Sequence, residues 1–176
     1  MKPMIEKLPR NRNNSFLACT FRTPDFEVPW HQHEEYELIL FKEGEGSSFI
    51  GNYVGDFKTD DRFRRGANRP HTCQRAGKNI STSALVVQFK EDFCGKDFLE
   101  LPECRSIRRL FDKSIKGLKL LGNTKKKLIP MICQLETLTG LRRITCLCDC
   151  LQLIADSKEY ETLSTHEVKS FTPKTQ

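Results

Sequence analysis

A run of short extended segments between Phe16 and Lys90 restricts the fold more than any other feature of the sequence. Glycine, proline, asparagine or aspartate separates each segment from the next, and Gly51-Asn52 is typical of a two-residue hairpin turn. The predicted strands cover residues 16–21, 35–42, 47–50, 53–58, 62–65, 72–75 and 82–90. Many short antiparallel strands favour a barrel or two packed sheets, because both leave few open strand edges.

The spacing of apolar residues changes after Phe89 to steps of three or four, which predicts helices over residues 102–116, 123–138 and 141–157. Pro130 lies inside the second helix and removes a backbone donor, so we expect a kink there or a start at Ile129. The third helix has two apolar faces, and such a helix usually has two partners. One face is predicted to pack on the preceding helix and the other on a second copy of the chain, through Leu147, Cys150, Leu153 and Ile154.

A chain of 176 residues, 38% of them hydrophobic, is long enough for one domain with a single core. It has no stretch of about 18 apolar residues that could span a membrane. Pro3, Glu6 and Pro9 interrupt the N-terminus where a signal peptide needs an apolar run, so a cytoplasmic protein is predicted. The formal charge of +6 is scattered and no helix-turn-helix pattern is visible, so DNA binding by this chain alone is not indicated.

The eight cysteines include no CxxC pair, so neither a disulfide framework nor a zinc ribbon is indicated. Cys146, Cys148 and Cys150 occupy every second position. On a helix Cys146 and Cys150 share a face, while Cys148 points away. Free cysteine behaves as a small buried hydrophobe, so we interpret the triplet as core packing rather than a metal or redox site.

Two histidines, His31 and His33, lie two positions apart and therefore point to the same face of an extended strand. Glu37 follows four residues later, and His71 can join them if its strand pairs back across the sheet. Three imidazoles and one carboxylate suit a divalent transition metal such as Fe, Mn, Ni, Cu or Zn. The same four residues could instead form a polar network that holds the mouth of a barrel together without a metal.

The pattern HxHxxxExxxxxxG from His31 to Gly44, followed by Pro70-His71, resembles the two halves of the cupin barrel signature. The wider sequence, including LVVQFKEDFCGKDFLELPECRSIRRLFDKS, resembles the N-terminal sensor half of AraC-type bacterial transcription regulators over residues 28–163. This implies a mainly β fold with α: a cupin-like double-stranded β-helix, or jelly-roll barrel, followed by an antiparallel helical dimerisation segment. The implied regions are an N-terminal arm at 1–15, the barrel at 16–98, the helical segment at 99–160 and a polar tail or linker at 161–176.

In AraC-type sensors a DNA-binding domain with two helix-turn-helix units follows, and this sequence leaves no room for it. The resemblance therefore implies an effector-sensing, homodimeric module that is not an enzyme and that controls DNA binding by a domain outside this chain. A small-molecule effector would contact Trp30, His31, His33, Tyr36, Glu37, Arg65 and His71, and the metal ligands would be His31, His33, Glu37 and His71. The alternative is a free-standing metal-dependent cupin enzyme, either a dioxygenase or an isomerase.

The run before the second motif departs from the family pattern, which has an apolar strand where this chain has Arg62, Arg64 and Arg65. Alternation sends Arg65 to one face and the other two to the opposite face. At least one guanidinium therefore approaches the interior, where an unpaired charge would cost several kcal/mol. It could bind a carboxylate or phosphate effector. It could instead pair with Glu27, Glu35 or Asp61, or the strand could be distorted or disordered.

Overall fold

The structure is a computed structural model that describes residues 3–5, 13–23, 29–77 and 80–164, with the backbone alone for Thr23 and for residues 62–65. Its strands are β1 (Met4–Ile5), β2 (Phe16–Thr23), β3 (His31–Gln32), β4 (Tyr36–Glu43), β5 (Glu45–Ile50), β6 (Tyr53–Lys58), β7 (Arg62–Arg65), β8 (His71–Arg75), β9 (Thr82–Phe89), β10 (Leu118–Leu120) and β11 (Tyr160–Thr162). Its α-helices are α1 (Arg105–Ser114), α2 (Gly122–Gln134) and α3 (Gly140–Ser157), and two 3₁₀ turns precede α1 at Phe98–Glu100 and Pro102–Cys104.

The strands form two sheets that pack face to face. One sheet has the order β1-β3-β8-β5-β6 and the other β11-β10-β7-β4-β9-β2. Alternation along β4 sends Ile39 and Phe41 inward, and Phe41 stacks on Phe57 of β6 with ring centroids 3.8 Å apart. Ile50 of β5 and Cys73 of β8 join the same buried cluster. The interior between the sheets is therefore filled by side chains from both, as the strand pattern predicts.

The helices cover the opposite face of the second sheet. One cluster of buried side chains combines residues of both kinds of element, among them Leu38, Leu40, Leu85 and Val87 from the sheet and Leu110, Leu128, Ile132 and Leu147 from the helices. The strand region and the helical region therefore share one hydrophobic core. None of the described helices is long and apolar enough to cross a membrane.

The predicted dimer contacts lie inside this core. Leu147, Cys150 and Ile154 are 0% exposed in the single chain, and Leu153 is partly buried against the same cluster. Because α3 packs on both α1 and α2, each of its apolar faces has a partner within the chain. The prediction that Leu147, Cys150 and Ile154 contact a second copy is wrong, since side chains without exposed surface cannot touch another subunit.

The cysteine triplet of α3 packs into the protein, as the sequence interpretation expected. Cys150 is fully buried, and Cys146 and Cys148 are partly buried against the shared core. Burial raises the pKa of Cys148 to about 12 and also raises the pKa of Cys150. Both thiols therefore stay protonated near neutral pH and are poor nucleophiles.

Helix α2 runs on both sides of Pro130, so the predicted start at Ile129 is wrong. The N-terminal end of α2 is capped by a residue distant in sequence. The Glu159 carboxylate accepts hydrogen bonds from the N–H and the hydroxyl of Thr124, both at 2.7 Å. These bonds lower the pKa of Glu159, as expected for a carboxylate at the positive end of a helix. They also tie the start of α2 to the residues that follow α3.

The chain after α3 returns to the sheet, whereas the sequence predicted a polar tail from residue 161. β11 pairs antiparallel with β10. Beyond it, the Leu163 N–H donates to the Gly117 carbonyl at 3.0 Å and the Ser164 N–H to the Lys116 carbonyl at 2.9 Å. The tail prediction is therefore wrong for residues 161–164, and residues 165–176 lie outside the described part of the chain.

A buried arginine holds this C-terminal segment against the first sheet. Arg69 is 2% exposed, and its guanidinium lies over Gly51 and donates to the Ser164 hydroxyl. That hydroxyl donates in turn to Asn52 Oδ1 at 2.5 Å. Gly51 has φ +59°, and a Cβ there would lie 2.5 Å from a guanidinium nitrogen, so glycine is strongly favoured at this position. Burial lowers the pKa of Arg69.

Ser164→Ala is expected to lower the free energy of unfolding by about 1–3 kcal/mol, because the variant leaves a buried cation with one acceptor fewer. Urea denaturation followed by circular dichroism measures the change. Thr162→Ala, at an exposed position of β11, is the control and should change stability by less than about 0.5 kcal/mol. Equal losses in the two variants would contradict the anchoring role of Arg69.

Candidate metal centre

Three histidines converge between the two sheets. His31 of β3 lies directly opposite His71 of β8 in the antiparallel register, and His33 follows β3. All three are at most 5% exposed. The ring centroids of His31 and His71 are 4.2 Å apart, and those of His33 and His71 are 5.0 Å apart. One ring nitrogen from each histidine lies within 4.8 Å of the other two.

The backbone fixes the tautomer of each imidazole. The Nδ1 atom of His31 lies 2.7 Å from the Pro29 carbonyl, that of His33 lies 3.0 Å from the Glu35 carbonyl, and that of His71 lies 2.7 Å from the Arg69 carbonyl. A carbonyl oxygen only accepts, so Nδ1 carries the hydrogen in all three rings. The Nε2 atom of each neutral ring therefore holds the lone pair that a metal ion requires, an arrangement typical of metal-binding histidines.

The carboxylate of Glu37 lies next to two of these histidines, His33 and His71. It alternates with Tyr36 and Leu38 along β4, so it faces the interior, and it is 4% exposed. Its Oε2 atom lies 3.4 Å from His33 Nε2 and 3.8 Å from His71 Nε2. Burial by itself would lower the pKa of His33. In the protonated ring Nε2 would donate to Glu37, and this bond together with the charges of Glu37 and Glu35 outweighs burial and raises the pKa of His33.

Gln88 is part of the centre although the sequence interpretation did not single it out. It lies opposite Glu37 in the register of β4 and β9 and is 6% exposed. Its Nε2 atom lies 3.1 Å from Glu37 Oε2 and 3.3 Å from His33 Nε2. A polar residue at an inward position of the apolar strand LVVQF was the signal that could have identified it.

A single ion fits this set with small movements of the rings. Imidazole nitrogen binds zinc at about 2.0–2.1 Å, so three ligating nitrogens must come within about 4.2 Å of one another. They lie within 4.8 Å here. Glu37 adds an anionic donor, which offsets part of the ion's charge in a buried place. The residues therefore fit a divalent transition metal, and the donor set admits Fe, Mn, Ni, Cu or Zn.

Tyr36 does not belong to the centre, which corrects the sequence prediction. As the neighbour of Glu37 in β4, it points to the other face of the sheet. Its ring centroid lies 4.5 Å from that of Phe111 and 6.1 Å from that of Phe89, inside the core shared with the helices. An effector between the sheets therefore cannot reach the face of this ring.

The structure shows the backbone positions of two other predicted effector contacts, Trp30 and Arg65. Trp30 is partly buried directly before β3, and its carbonyl accepts the Met4 N–H at 2.9 Å, next to the parallel pairing of β1 and β3. Arg65 lies opposite Glu37 in the register of β4 and β7. The Arg65 side chain lies outside the described atoms, so its predicted role is not tested.

The side chains of Arg62 and Arg64 also lie outside the described atoms, as does all of Glu27, one of their predicted partners. Asp61, another predicted partner, is 3% exposed and lies next to lysines of the helical region. Its carboxylate contacts Lys125 at 2.8 Å and Lys119 at 3.7 Å. These ion pairs connect the end of the β6–β7 turn to α2 and β10.

Two packed sheets with buried histidines between them, and helices on one outer face, define a cupin-like domain with a helical extension. Solved structures share this architecture along most of the chain. CuxR, an AraC-like transcriptional activator, is 12% identical with a TM-score of 0.58, over 91% of this chain and 56% of its own. ToxT from Vibrio cholerae O395, bound to (E)-4-(8-methylnaphthalen-1-yl)but-3-enoic acid, is 10% identical with a TM-score of 0.55, over 90% of this chain and 62% of its own.

This chain thus spans about three fifths of the length of the two proteins it matches. At such low identity the likeness establishes the fold, and at that level it confirms the resemblance to AraC-type regulators. Oxalate decarboxylase from Bacillus subtilis, which has Mn(II) centres, is 20% identical over 45% of this chain and 22% of its own. Its TM-score of 0.39 is too low to support an argument. No family model and no curated protein matches the sequence.

Proposed function

We propose that this chain is the effector-sensing and dimerisation domain of an AraC-type bacterial transcription regulator, acting in the cytoplasm on a DNA-binding domain outside this sequence. The observation that carries the proposal is the 91% of the chain matched by an AraC-like activator, because that share includes the helical layer as well as the sheets. A barrel enzyme does not require such a layer. Homodimerisation belongs to the proposal, through surfaces other than Leu147, Cys150 and Ile154, and sedimentation at micromolar concentration tests it.

The sensing centre in this proposal is a divalent transition metal held by His31, His33 and His71 through Nε2 and by Glu37 through Oε2. When bound, the ion would supply a Lewis acid for an oxygen or nitrogen donor of a small-molecule effector. The three backbone carbonyls that accept from Nδ1 hold the rings in orientation. Trp30 and Arg65 remain proposed effector contacts.

His71 also offers a route from the centre to the end of the domain. Its Nδ1 donates to the Arg69 carbonyl, and the Arg69 guanidinium donates to Ser164, the last described residue. We propose that a shift of His71 on ligand binding moves Arg69 and so loosens or tightens the hold on Ser164. The residues after Ser164 would carry this change towards the DNA-binding domain, which is coupling through a chain of packed contacts.

A reporter experiment tests the proposed function. The chain is fused after Gln176 to an AraC-type domain with two helix-turn-helix units, and a reporter gene is placed behind the operator of that domain. Reporter output is expected to change several-fold when the medium is depleted of transition metals, and His71→Ala should remove the response. His166→Ala is the matched control and should retain it. A fusion that binds the operator but ignores both metal depletion and His71→Ala would overturn the proposal.

The alternative, a metal-dependent dioxygenase or isomerase, is favoured by the same three nitrogens and one carboxylate, which are also suited to catalysis. The two functions differ in turnover. Metal-loaded protein that consumes oxygen or isomerises a small organic acid or sugar over many cycles, in a fusion that does not respond, would favour the enzyme.

A further inference from the structure

The carboxamide of Gln88 contacts two of the four proposed metal ligands. Its nitrogen lies 3.1 Å from Glu37 Oε2 and 3.3 Å from His33 Nε2, and these two ligand atoms are 3.4 Å apart. The side chain reaches this point because β9 pairs with β4 and sets Gln88 directly opposite Glu37. The amide is therefore part of the interior of the centre.

The neighbours of the amide determine which end faces them. An ionised carboxylate only accepts, so the nitrogen of Gln88, and not its oxygen, must face Glu37 Oε2. The opposite orientation would place two acceptors 3.1 Å apart. Because His33 Nδ1 carries its hydrogen towards the Glu35 carbonyl, Nε2 of the neutral His33 ring is also an acceptor. While His33 is neutral, the two hydrogens of this NH₂ group can therefore serve both ligand atoms.

Metal binding would preserve one of the two hydrogen bonds from Gln88 and break the other. A carboxylate oxygen has more than one lone pair, so Glu37 Oε2 can serve as a ligand and accept from Gln88 at the same time. His33 Nε2 has one lone pair and can do only one of the two. The hydrogen bond from Gln88 to Glu37 therefore persists with the centre loaded, and it is the shortest contact of Oε2 among those named above.

We propose that Gln88 is a positioning residue of the centre, which holds Glu37 Oε2 beside the Nε2 atoms of His33 and His71. This inference rests on the proposed metal site. The oxygen end of the same amide makes no competing contact, because Gln88 Oε1 is buried and has no hydrogen-bond partner among the described residues. A buried acceptor without a partner lowers the stability of the fold.

Gln88→Met separates the two roles, since methionine has a similar length and no polar end group. The variant removes a buried oxygen without a partner but also leaves the buried Glu37 carboxylate with one donor fewer, so the unfolding temperature of the metal-free protein is expected to stay close to that of the wild type. Its affinity for Co²⁺, followed by visible absorption of the full chain, is expected to fall about 10–100-fold, as for other hydrogen-bond partners of metal ligands. Gln74→Met, at an exposed position of β8, is the control and should leave Co²⁺ binding unchanged.

A double-mutant cycle identifies Glu37 as the residue through which Gln88 acts. In a Glu37→Ala background, Gln88→Met should change Co²⁺ affinity by less than about twofold, because the group it positions is absent. Undiminished or tighter Co²⁺ binding by Gln88→Met alone would overturn the inference, since the amide would then be irrelevant or a competitor for His33. Wild-type protein that binds no Co²⁺ would overturn the proposed metal centre and this inference with it.

Discussion

His71→Ala is expected to reduce the affinity for a divalent transition metal by more than about 100-fold. The variant loses one of three imidazoles whose nitrogens lie within 4.8 Å of one another, and Glu37 Oε2 loses a neighbour at 3.8 Å. Loss of an outer hydrogen-bond partner of a metal ligand already weakens binding about 10–100-fold, so loss of a ligand weakens it further. Elemental analysis of reconstituted protein and a competition titration with Zn²⁺ or Co²⁺ measure the effect.

The matched control is His166→Ala, at the fourth histidine of the sequence, which lies outside the described residues. It should leave the metal content unchanged. His31→Ala should behave like His71→Ala, because the two residues are direct partners across β3 and β8. Wild-type protein as empty as His71→Ala after reconstitution would remove the metal from the proposal. The histidines would then be the polar network that the sequence also allowed.

The strands that the sequence predicted well are those that local signals define. β6 has the predicted bounds, Tyr53–Lys58, and β7 the predicted bounds, Arg62–Arg65. Gly51-Asn52 supplies the hairpin turn, with Gly51 at φ +59°. By contrast, β10 and β11 are three residues long and pair with each other across about 40 positions of sequence. Strands this short have no pattern of alternation from which they could be predicted.

The residues of the candidate site also differ in whether local sequence signals identify them. His31 and His33 share a face because of their spacing, a property the sequence displays. The sequence offered one signal for Gln88, a polar residue in an apolar strand, but its contact with Glu37 and that of Arg69 with Ser164 required the three-dimensional structure. Tyr36 could have been excluded from the centre on the sequence alone, because alternation along β4 sends it to the face opposite Glu37.

The spacing of apolar residues in the third helix could not show which elements its two faces contact. Two apolar faces predict two partners, but the pattern is the same whether the second partner lies in the same chain or in another copy. Here α1 and α2 supply both partners. The assignment of Leu147 therefore required the three-dimensional packing, and its substitution gives the largest stability effect that we expect.

Leu147→Ala is expected to lower the free energy of unfolding by about 2–5 kcal/mol, because a fully buried leucine is replaced by a side chain that leaves a cavity. Leu147 is 0% exposed and belongs to the core that joins the second sheet to the helices. For a chain of this size, that loss corresponds to a fall of about 4–20 °C in Tm. Urea and thermal denaturation measure both quantities.

Leu141→Ala is the control on the same helix, because Leu141 is 73% exposed, and it should change stability by less than about 0.5 kcal/mol. An interface between two copies would give a different pattern. If Leu147 lay there, its substitution would leave each chain folded and would shift only the sedimentation coefficient. A large loss of stability in Leu147→Ala alone would place this apolar face of α3 inside the subunit, so a homodimer formed through α3 would have to use side chains that α3 exposes, such as Leu141.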